Sequence, residues 1–150
     1  MNLKILNKKQ IKEILALIKK QWSADIMLDY AFLKDKNDKI FIINKEFTEI
    51  DLSKLKINSL GLYIAQLMSD GIRLSIEGSQ IIGPKAKKNI IELTKKQLTN
   101  WLQGNDIELK TALKGYVILK HDSDFIGCGK IKQNKLLNYI PKTRRLKISL

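Results

Sequence analysis

The sequence is poor in the residue types from which many catalytic and metal sites are built. Its 150 residues include one cysteine, Cys128, and one histidine, His121. A lone cysteine excludes a disulfide within the chain and a site made of several cysteines, and we expect Cys128 to be a small buried residue. His121 stands in a predicted polar turn beside Asp122 and Asp124, without a nucleophile spaced for activation. No acidic or histidine cluster has metal-ligand spacing, so we predict no catalytic residue, metal or cofactor.

Apolar runs of membrane-spanning length and a secretory leader are also missing. Charged residues interrupt the first segment, MNLKILNKKQIKE, whereas a leader needs an unbroken apolar stretch. Hydrophobic residues still make up 44% of the chain, which is enough for the core of one domain or two small ones. We expect a cytoplasmic protein without a membrane partner.

Two glycine patterns resemble parts of nucleotide-binding motifs, but neither meets the requirements of the full motif. Gly78 and Gly83 have the spacing of a phosphate-binding loop, but Pro84 stands where that motif requires a lysine. Gly127 and Gly129 form a G-x-G without a third glycine in register. We predict instead that a strand ends at the boundary between Gly83 and Pro84.

Acidic residues are few beside basic ones: 15 aspartates and glutamates against 28 lysines and arginines, a net charge of +13. So large an excess must lie mostly on the surface, where it attracts polyanions. Nucleic acid is the first candidate and an acidic membrane surface the second. The alternative is charge that serves only solubility.

The first half of the chain predicts a helix followed by paired strands. Apolar residues recur at helical spacing after Asn7, a candidate N-cap, and predict a helix over residues 8–21 that Trp22 closes against the core. An exposed Trp22 stacked on a base is the alternative. The remaining elements predicted here are a hairpin of strands over 27–33 and 40–43, an irregular stretch over 47–55, a buried helix over 59–68 weakened by Gly61, and a strand over 72–76.

A change of pattern near residues 83–88 predicts a boundary between two halves. Thr94 is a candidate cap for a helix over 93–102, and Gly104 suits the position just past its end. A short strand over 106–109 and a hairpin of strands over 116–119 and 125–131 follow. The glycines of the last strand suggest a bulge, or a surface that another backbone or a ligand approaches closely.

The end of the chain combines an aromatic ring with several cations. Tyr139 can stack on an unpaired base, and Arg144 and Arg145 offer planar donors to phosphates. Pro141 argues against a central strand there. Because neighbouring strand residues point to opposite faces, one arginine alone can reach RNA from an extended segment. The alternative is a solvated basic tail with Tyr139 buried.

Four motifs, WLQGNDIE, GYVILK, FIGCGKIK and NYIPKTRRL, lie between residues 93 and 150. This stretch resembles a PUA domain, the small pseudo-barrel named after pseudouridine synthases and archaeosine transglycosylases. Its ending is similar to the PUA-like domain appended to the Sun-family 5-methylcytosine RNA methyltransferases. The preceding half, with FLKDKNDKIFIINKEF, SLGLYIAQLMSDGIRLSI and GPKAKK, looks like the α/β pre-PUA domain of a factor of large-subunit ribosome assembly.

The resemblance implies RNA binding through the second half of the chain, in ribosome biogenesis, rRNA processing or RNA modification, without catalysis. It places glycines and the basic ending along an RNA groove. Taken with the basic segment, the RNA-binding candidates are Gly104, Gly127, Gly129, Lys130, Lys132, Tyr139, Lys142, Arg144 and Arg145.

We therefore predict an α+β fold, with an N-terminal α/β pre-PUA domain over residues 1–84 and a C-terminal PUA-like β pseudo-barrel over residues 89–150. The predicted partner is RNA, either rRNA or tRNA, with an RNA methyltransferase or a ribosome-assembly factor as candidate protein partner. The alternative function is a protein-interaction subunit that tethers an RNA-modifying enzyme such as a methyltransferase. A small hydrolase or a nucleotide-binding enzyme is a more remote alternative.

Overall fold

The computed structural model describes residues 3–46 and 61–147. These residues form two five-stranded sheets and three α-helices, so the predicted α+β class is confirmed. The stretch predicted as irregular, 47–55, and the first two residues of the predicted helix over 59–68 lie outside the described residues. None of the described helices is long and apolar enough to cross a membrane.

The first sheet is an antiparallel meander in which each strand pairs with the next along the chain. The predicted hairpin over 27–33 and 40–43 is confirmed, but residues 27–30 precede its first strand, and Met27 is exposed. The five strands are β1 (Lys4–Ile5), β2 (Ala31–Lys34), β3 (Lys39–Ile43), β4 (Leu62–Met68) and β5 (Gly71–Leu74).

Helix α1 (Lys8–Trp22) covers one face of this sheet. The side chain of Asn7 accepts a hydrogen bond from Gln10 N, and Gln10 Oε1 accepts one from Asn7 N, each at 2.9 Å. This capping box satisfies backbone donors that the helix leaves free. Trp22 is fully buried in the core, so the core prediction for Trp22 is confirmed and the base-stacking alternative is excluded.

The prediction of a buried helix over 59–68 is wrong, because the described part of this stretch is strand β4. Its consecutive residues Ile64 and Ala65 are both buried in the same cluster, because the register with β3 shifts between Ile40 and Phe41 and leaves Ile64 as an extra residue. Tyr63 packs against the smaller cluster, which includes Phe41. Burial on both faces removes the alternation of a half-exposed strand and imitates helical spacing.

The prediction that a strand runs into the boundary between Gly83 and Pro84 is also wrong. β5 ends at Leu74, and Ser75 caps a helix, α2 (Ile76–Ile82), by accepting a hydrogen bond from Gly78 N at 2.9 Å. A β-carbon at Gly78 would collide with the backbone oxygen of Ile64. The glycine therefore lets α2 lie directly on β4, which is close packing and not phosphate binding.

The second sheet has the strand order β6-β8-β9-β10-β7 and curls into a half barrel. β6 pairs with β8 in parallel, and the other pairs are antiparallel. The register shifts between Leu119 and Lys120 opposite Gly127, which confirms the predicted bulge. The strands are β6 (Ile90–Glu92), β7 (Ile107–Glu108), β8 (Gly115–His121), β9 (Asp124–Lys132) and β10 (Lys135–Leu137).

Helix α3 (Lys95–Leu102) packs its buried Trp101 against the second sheet. Thr94 caps the helix with a capping box, as predicted. Gly104 has φ +92°, the left-handed conformation that its predicted position requires. Short 3₁₀ helices occupy Gly83–Lys85 and Lys142–Arg144.

The largest hydrophobic cluster joins the two sheets. It includes Trp22 and Ile72 from the first half together with Tyr116, Ile118 and Cys128 from the second. The connection between the halves is held as well, because the carbonyl of Trp22 accepts a hydrogen bond from the N–H of residue 87 at 2.8 Å. The domain boundaries at residues 84 and 89 stay a prediction.

Candidate RNA interface

Three lysines share one face of β9 and β10 and form what we call the basic strip: Lys130, Lys132 and Lys135. Lys130 and Lys132 are two residues apart on β9, and Lys135 lies directly opposite Lys132 on β10. Lys132 and Lys135 are exposed, and neither has an ion-pair partner among the described residues. Like charges placed directly across a strand pair repel each other, so this strip favours an anionic partner.

Lys130 is the partly neutralised end of the basic strip. Its Nζ contacts Asp70 and lies 5.5 Å from the ring centroid of Tyr116, whose hydroxyl donates to Asp70 at 2.8 Å. The bond from Lys130 is the main cause that lowers the pKa of Asp70, and the bond from Tyr116 adds to it. Burial, and then the bond to Asp70, raise the pKa of Tyr116.

A pocket of about 170 Å³ lies where the two halves meet, and we call it the junction pocket. Cys128 lines the pocket and lies two residues before Lys130 on β9, on the same face of that strand, so the pocket adjoins the basic strip. The charged and aromatic residues that line the junction pocket are Lys39, Tyr63, Arg73, Glu77, Tyr139 and Arg144.

Tyr139 and Arg73 stack across the junction pocket. The guanidinium carbon of Arg73 lies 4.3 Å from the ring centroid of Tyr139, within the range of a cation–π contact. A hydrogen bond from Arg73 Nη2 to Gln66 Oε1, 2.9 Å long, fixes the guanidinium. Tyr139 is 37% exposed as a residue, so the alternative of a buried Tyr139 is excluded.

Asn138 fixes the backbone that presents Tyr139. Its side-chain Nδ2 donates to the carbonyls of Trp101 and Asn105, at 2.8 and 3.0 Å, and its Oδ1 accepts from Ile140 N at 2.8 Å. Its backbone N–H donates to Asp106 Oδ1 at 2.8 Å. The tyrosine is therefore held in place by an anchored segment and not by a free tail.

Arg144 stands at the mouth of the junction pocket. Its Nη1 lies 2.6 Å from Glu77 Oε1, and its side chain remains 46% exposed. Lys142, in the same 3₁₀ helix, is exposed and does not line the pocket. One candidate therefore faces the pocket while its neighbour faces solvent.

Two further side chains that line the junction pocket, Tyr63 and Cys128, have raised pKa values. Burial is the main cause that raises the pKa of the Tyr63 hydroxyl, and Arg73 acts in the opposite direction. Burial raises the pKa of the Cys128 thiol to about 12, so this thiol stays protonated and unreactive at neutral pH. The prediction that Cys128 is a small buried residue is confirmed.

Gly127 and Gly129 are buried. A β-carbon at Gly129 would lie 2.7 Å from Leu136 Cδ1 and 2.8 Å from Trp101 Cη2. A β-carbon at Gly127 would point towards Trp101 Nε1, 3.5 Å away, although the residue also lines the junction pocket. Gly129 therefore makes room for the buried indole, whereas a β-carbon at Gly127 would make only an ordinary contact with it. RNA binding by the two glycines stays a prediction.

Gly104 and Arg145 also contact each other within the fold. A β-carbon at Gly104 would collide with the side chain of Arg145, whose Nε donates to the carbonyl of Ile140 at 3.0 Å. Arg145 is partly buried. The pair fastens the end of the chain to the turn after α3, so of the two neighbouring arginines Arg144 is the one that faces the pocket.

His121 is held by the backbone. Its Nδ1 lies 2.8 Å from the carbonyl of Leu93. The parallel pairing of β6 and β8 brings Glu92 beside it, and one ligand atom each from Glu92, His121 and Asp122 lie within 4.8 Å of one another. Sequence spacing did not predict this cluster. Both carboxylates are exposed, and Glu92 already accepts from Asp122 N at 2.7 Å.

Sequence reasoning missed the contribution of the first half to the junction pocket. Arg73 and Tyr63 lie on neighbouring antiparallel strands, and Glu77 lies in the first turn of α2. The alternation of buried Ile72 and Leu74 could have placed Arg73 on the other face of its strand. No sequence signal indicates that this face meets Tyr139, more than sixty positions away.

The second half of the chain matches a known protein family. Residues 88–146 match the family described as the PUA domain of the methyltransferase RsmF. The matched stretch contains the second sheet, α3 and the segment with Tyr139 and Arg144. The predicted PUA-like domain, similar to that of the Sun-family methyltransferases, is therefore confirmed.

Curated relatives extend the likeness towards the first half. The chain is 29% identical over 118 residues to the ribosomal RNA small subunit methyltransferase F of Vibrio parahaemolyticus, an alignment that covers 74% of this chain and 24% of that protein. It is 29% identical over 136 residues to the protein of the same name from Shewanella oneidensis, covering 89% of this chain and 28% of that protein. The chain is 26% identical over 136 residues to the Vibrio cholerae protein of that name, an alignment that covers 89% of this chain and 28% of that protein.

An alignment of 136 residues is longer than the stretch 88–146, so it includes much of the first half. The chain spans about a quarter of the length of the curated relatives that it matches. The likeness of the first half to a pre-PUA domain of large-subunit ribosome assembly stays a prediction.

Proposed function

We propose that this chain is a non-catalytic RNA-binding unit that acts in the cytoplasm on rRNA or tRNA, in ribosome biogenesis or RNA modification. The basic strip and Arg144 contact RNA phosphates, and Tyr139 lies beside them on the surface that faces the RNA. Phosphate contacts of this kind position an RNA without reading its sequence.

The observation that carries the proposal is the pairing of Lys132 with Lys135. Two exposed lysines lie directly opposite each other and repel, and Glu108, directly opposite Lys135 on β7, offsets part of that repulsion. RNA phosphates would relieve that repulsion. The net charge of +13 supports a polyanion as the partner.

The likeness to the PUA domain of an rRNA methyltransferase supports RNA as that polyanion. The matched relatives are named as enzymes, and the alignments cover about a quarter of their length. The protein partner that we propose is an RNA methyltransferase or a ribosome-assembly factor. The tethering role is the second candidate, and it predicts a stoichiometric enzyme partner and no RNA affinity of the chain alone.

The test is a salt titration of the purified chain against a labelled structured RNA by fluorescence anisotropy. Because binding releases counterions, three or more phosphate contacts predict that affinity falls at least about tenfold between about 50 and 200 mM salt. An affinity that does not change with salt, or no binding at low salt, would overturn the proposal. Absence of RNA binding at low salt, together with an enzyme that co-purifies with the chain, would favour the tethering role.

A further inference from the structure

The junction pocket is lined by apolar side chains as well as by cations, and phosphate contacts alone do not require apolar side chains. Leu74, Cys128 and Ile140 line it and are buried, whereas Arg144 stands half exposed at its mouth. The pocket thus joins an apolar interior to a cationic entrance. A planar aromatic group attached to an anion has the matching distribution of polarity and charge.

We infer that the junction pocket receives one unpaired nucleobase of a bound RNA, stacked on Tyr139, with the adjoining phosphate held by Arg144. This inference rests on the proposed function, because it requires RNA to lie along the basic strip. It adds a base-binding site formed by both halves of the chain.

The dimensions of the pocket suit a single base. A cavity of about 150 Å³ in a protein interior accommodates one benzene ring, and the junction pocket measures about 170 Å³. One base ring therefore fits, while its ribose and phosphate remain outside. A base pair is too large, so the base must be unpaired, as it is in RNA loops, bulges and ends.

The stacking surface is prepared before RNA binds. Arg73 covers part of the Tyr139 ring, and the residue as a whole is 37% exposed, so it is accessible to a second partner. The four hydrogen bonds of Asn138 hold the backbone on the N-terminal side of the ring. A contact that is already ordered loses little conformational entropy on binding.

The cation at the mouth is also positioned in advance. Glu77 holds Arg144 through one guanidinium nitrogen, at 2.6 Å, and the remaining guanidinium donors stay available, since a guanidinium carries five N–H groups. A phosphate beside the entrance can accept from them. Lys39 and Arg73 add positive charge to the same lining, so the carboxylate of Glu77 does not make the pocket acidic.

The experiment compares two single-stranded oligonucleotides of equal length and charge: an RNA of mixed sequence, and an oligonucleotide abasic at every position. Anisotropy titrations with the whole chain should show about tenfold tighter binding of the base-bearing strand, the size of one base–aromatic stack. Tyr139→Ala should reduce that preference to near unity, and Tyr139→Phe should retain it. Tyr30→Ala, which removes another exposed tyrosine outside the pocket, is the matched control.

The outcomes separate this inference from the proposed function. If the wild-type chain binds both strands with equal affinity and steep salt dependence, the pocket does not take a base, whereas the proposed function stands. The inference is also overturned if Tyr139→Ala keeps the preference with an unchanged melting temperature. If neither strand binds at low salt, the proposed function itself fails. Loss of the preference in Tyr139→Ala alone, among variants of equal melting temperature, supports the inference.

Discussion

The side chain of Arg145 occupies the space that a β-carbon on Gly104 would fill. Gly104 has φ +92° as well, so Gly104→Ala combines an unfavourable backbone conformation with a collision. We expect it to lower the free energy of unfolding by about 1–3 kcal/mol, measured by urea denaturation. Gly115→Ala is the matched control, because Gly115 has φ +76° but no atom within 4 Å of the added carbon. Equal losses in both variants would show that Arg145 does not hold this position.

Gly129→Ala distinguishes a packing role from an RNA-binding role. The added carbon would lie 2.8 Å from the buried ring of Trp101 and 3.0 Å from the carbonyl of Leu137, which cannot move without disturbing β10. Overpacking of this kind costs about 1–3 kcal/mol, so the melting temperature should fall. RNA affinity measured well below that temperature should remain that of wild type. A stable variant with weak RNA binding would restore Gly129 to the interface.

Lys132→Gln should weaken RNA binding and strengthen the fold. Removing one of two facing lysines relieves about 0.2–1 kcal/mol of repulsion, and the loss of one phosphate contact should lower the salt-dependence slope by about one. Lys4→Gln is the matched control, since Lys4 also lies directly opposite a lysine, Lys34, in the first sheet. It should gain stability without losing RNA affinity. Parallel losses of affinity in the two variants would indicate attraction by total charge alone.

Asp70 should make the fold sensitive to acid. The bonds from Lys130 and Tyr116 lower its pKa in the folded chain below the ordinary value of 3.8. Its contribution to stability is therefore complete above about pH 4 and disappears as the pH falls through the lowered pKa. In urea denaturation at decreasing pH, wild type should lose most stability, Tyr116→Phe less and Asp70→Asn least. Identical pH profiles would mean that this bond network adds nothing to stability.

The elements that could be predicted from sequence are those whose signals are local. Asn7 and Thr94 each stand before a helical repeat and are followed three residues later by glutamine, and both form capping boxes. The positive φ of Gly104 follows from its place after α3. Local signals of this kind depend on the chain within one turn, so they do not require knowledge of the fold.

The errors arose where tertiary packing removed the local signal. β4 lies between two other strands with apolar groups on both sides, so its sequence lost the alternation of a strand. The regular alternation of Ile72, Leu74 and Ile76 predicts a strand in which Ser75 is the penultimate residue. In the structure Ser75 instead caps α2. A single cap residue was weaker evidence than three alternating apolar ones.

The candidate interface could be predicted only in part for the same reason. Tyr139 and Arg144 stood out because they belong to a basic segment with an aromatic residue. Arg73 could not be predicted as a site residue, because its partner Tyr139 is on the other half of the chain and a cation–π contact produces no periodic sequence pattern. The glycine at 129 has a packing reason that the sequence does not show, since a β-carbon there would press on the indole of Trp101 and on Leu136.

The hydrophobic cluster that links the two sheets limits how the proposed RNA-binding unit can be transplanted. A fusion carrying only the family-matched stretch from residue 88 onward would leave Ile118 and Tyr116 without the side chains of the first sheet that cover them. It would also divide the junction pocket, which needs Arg73 from one half and Tyr139 from the other. An engineer who wishes to graft the module onto another enzyme should therefore move both sheets together.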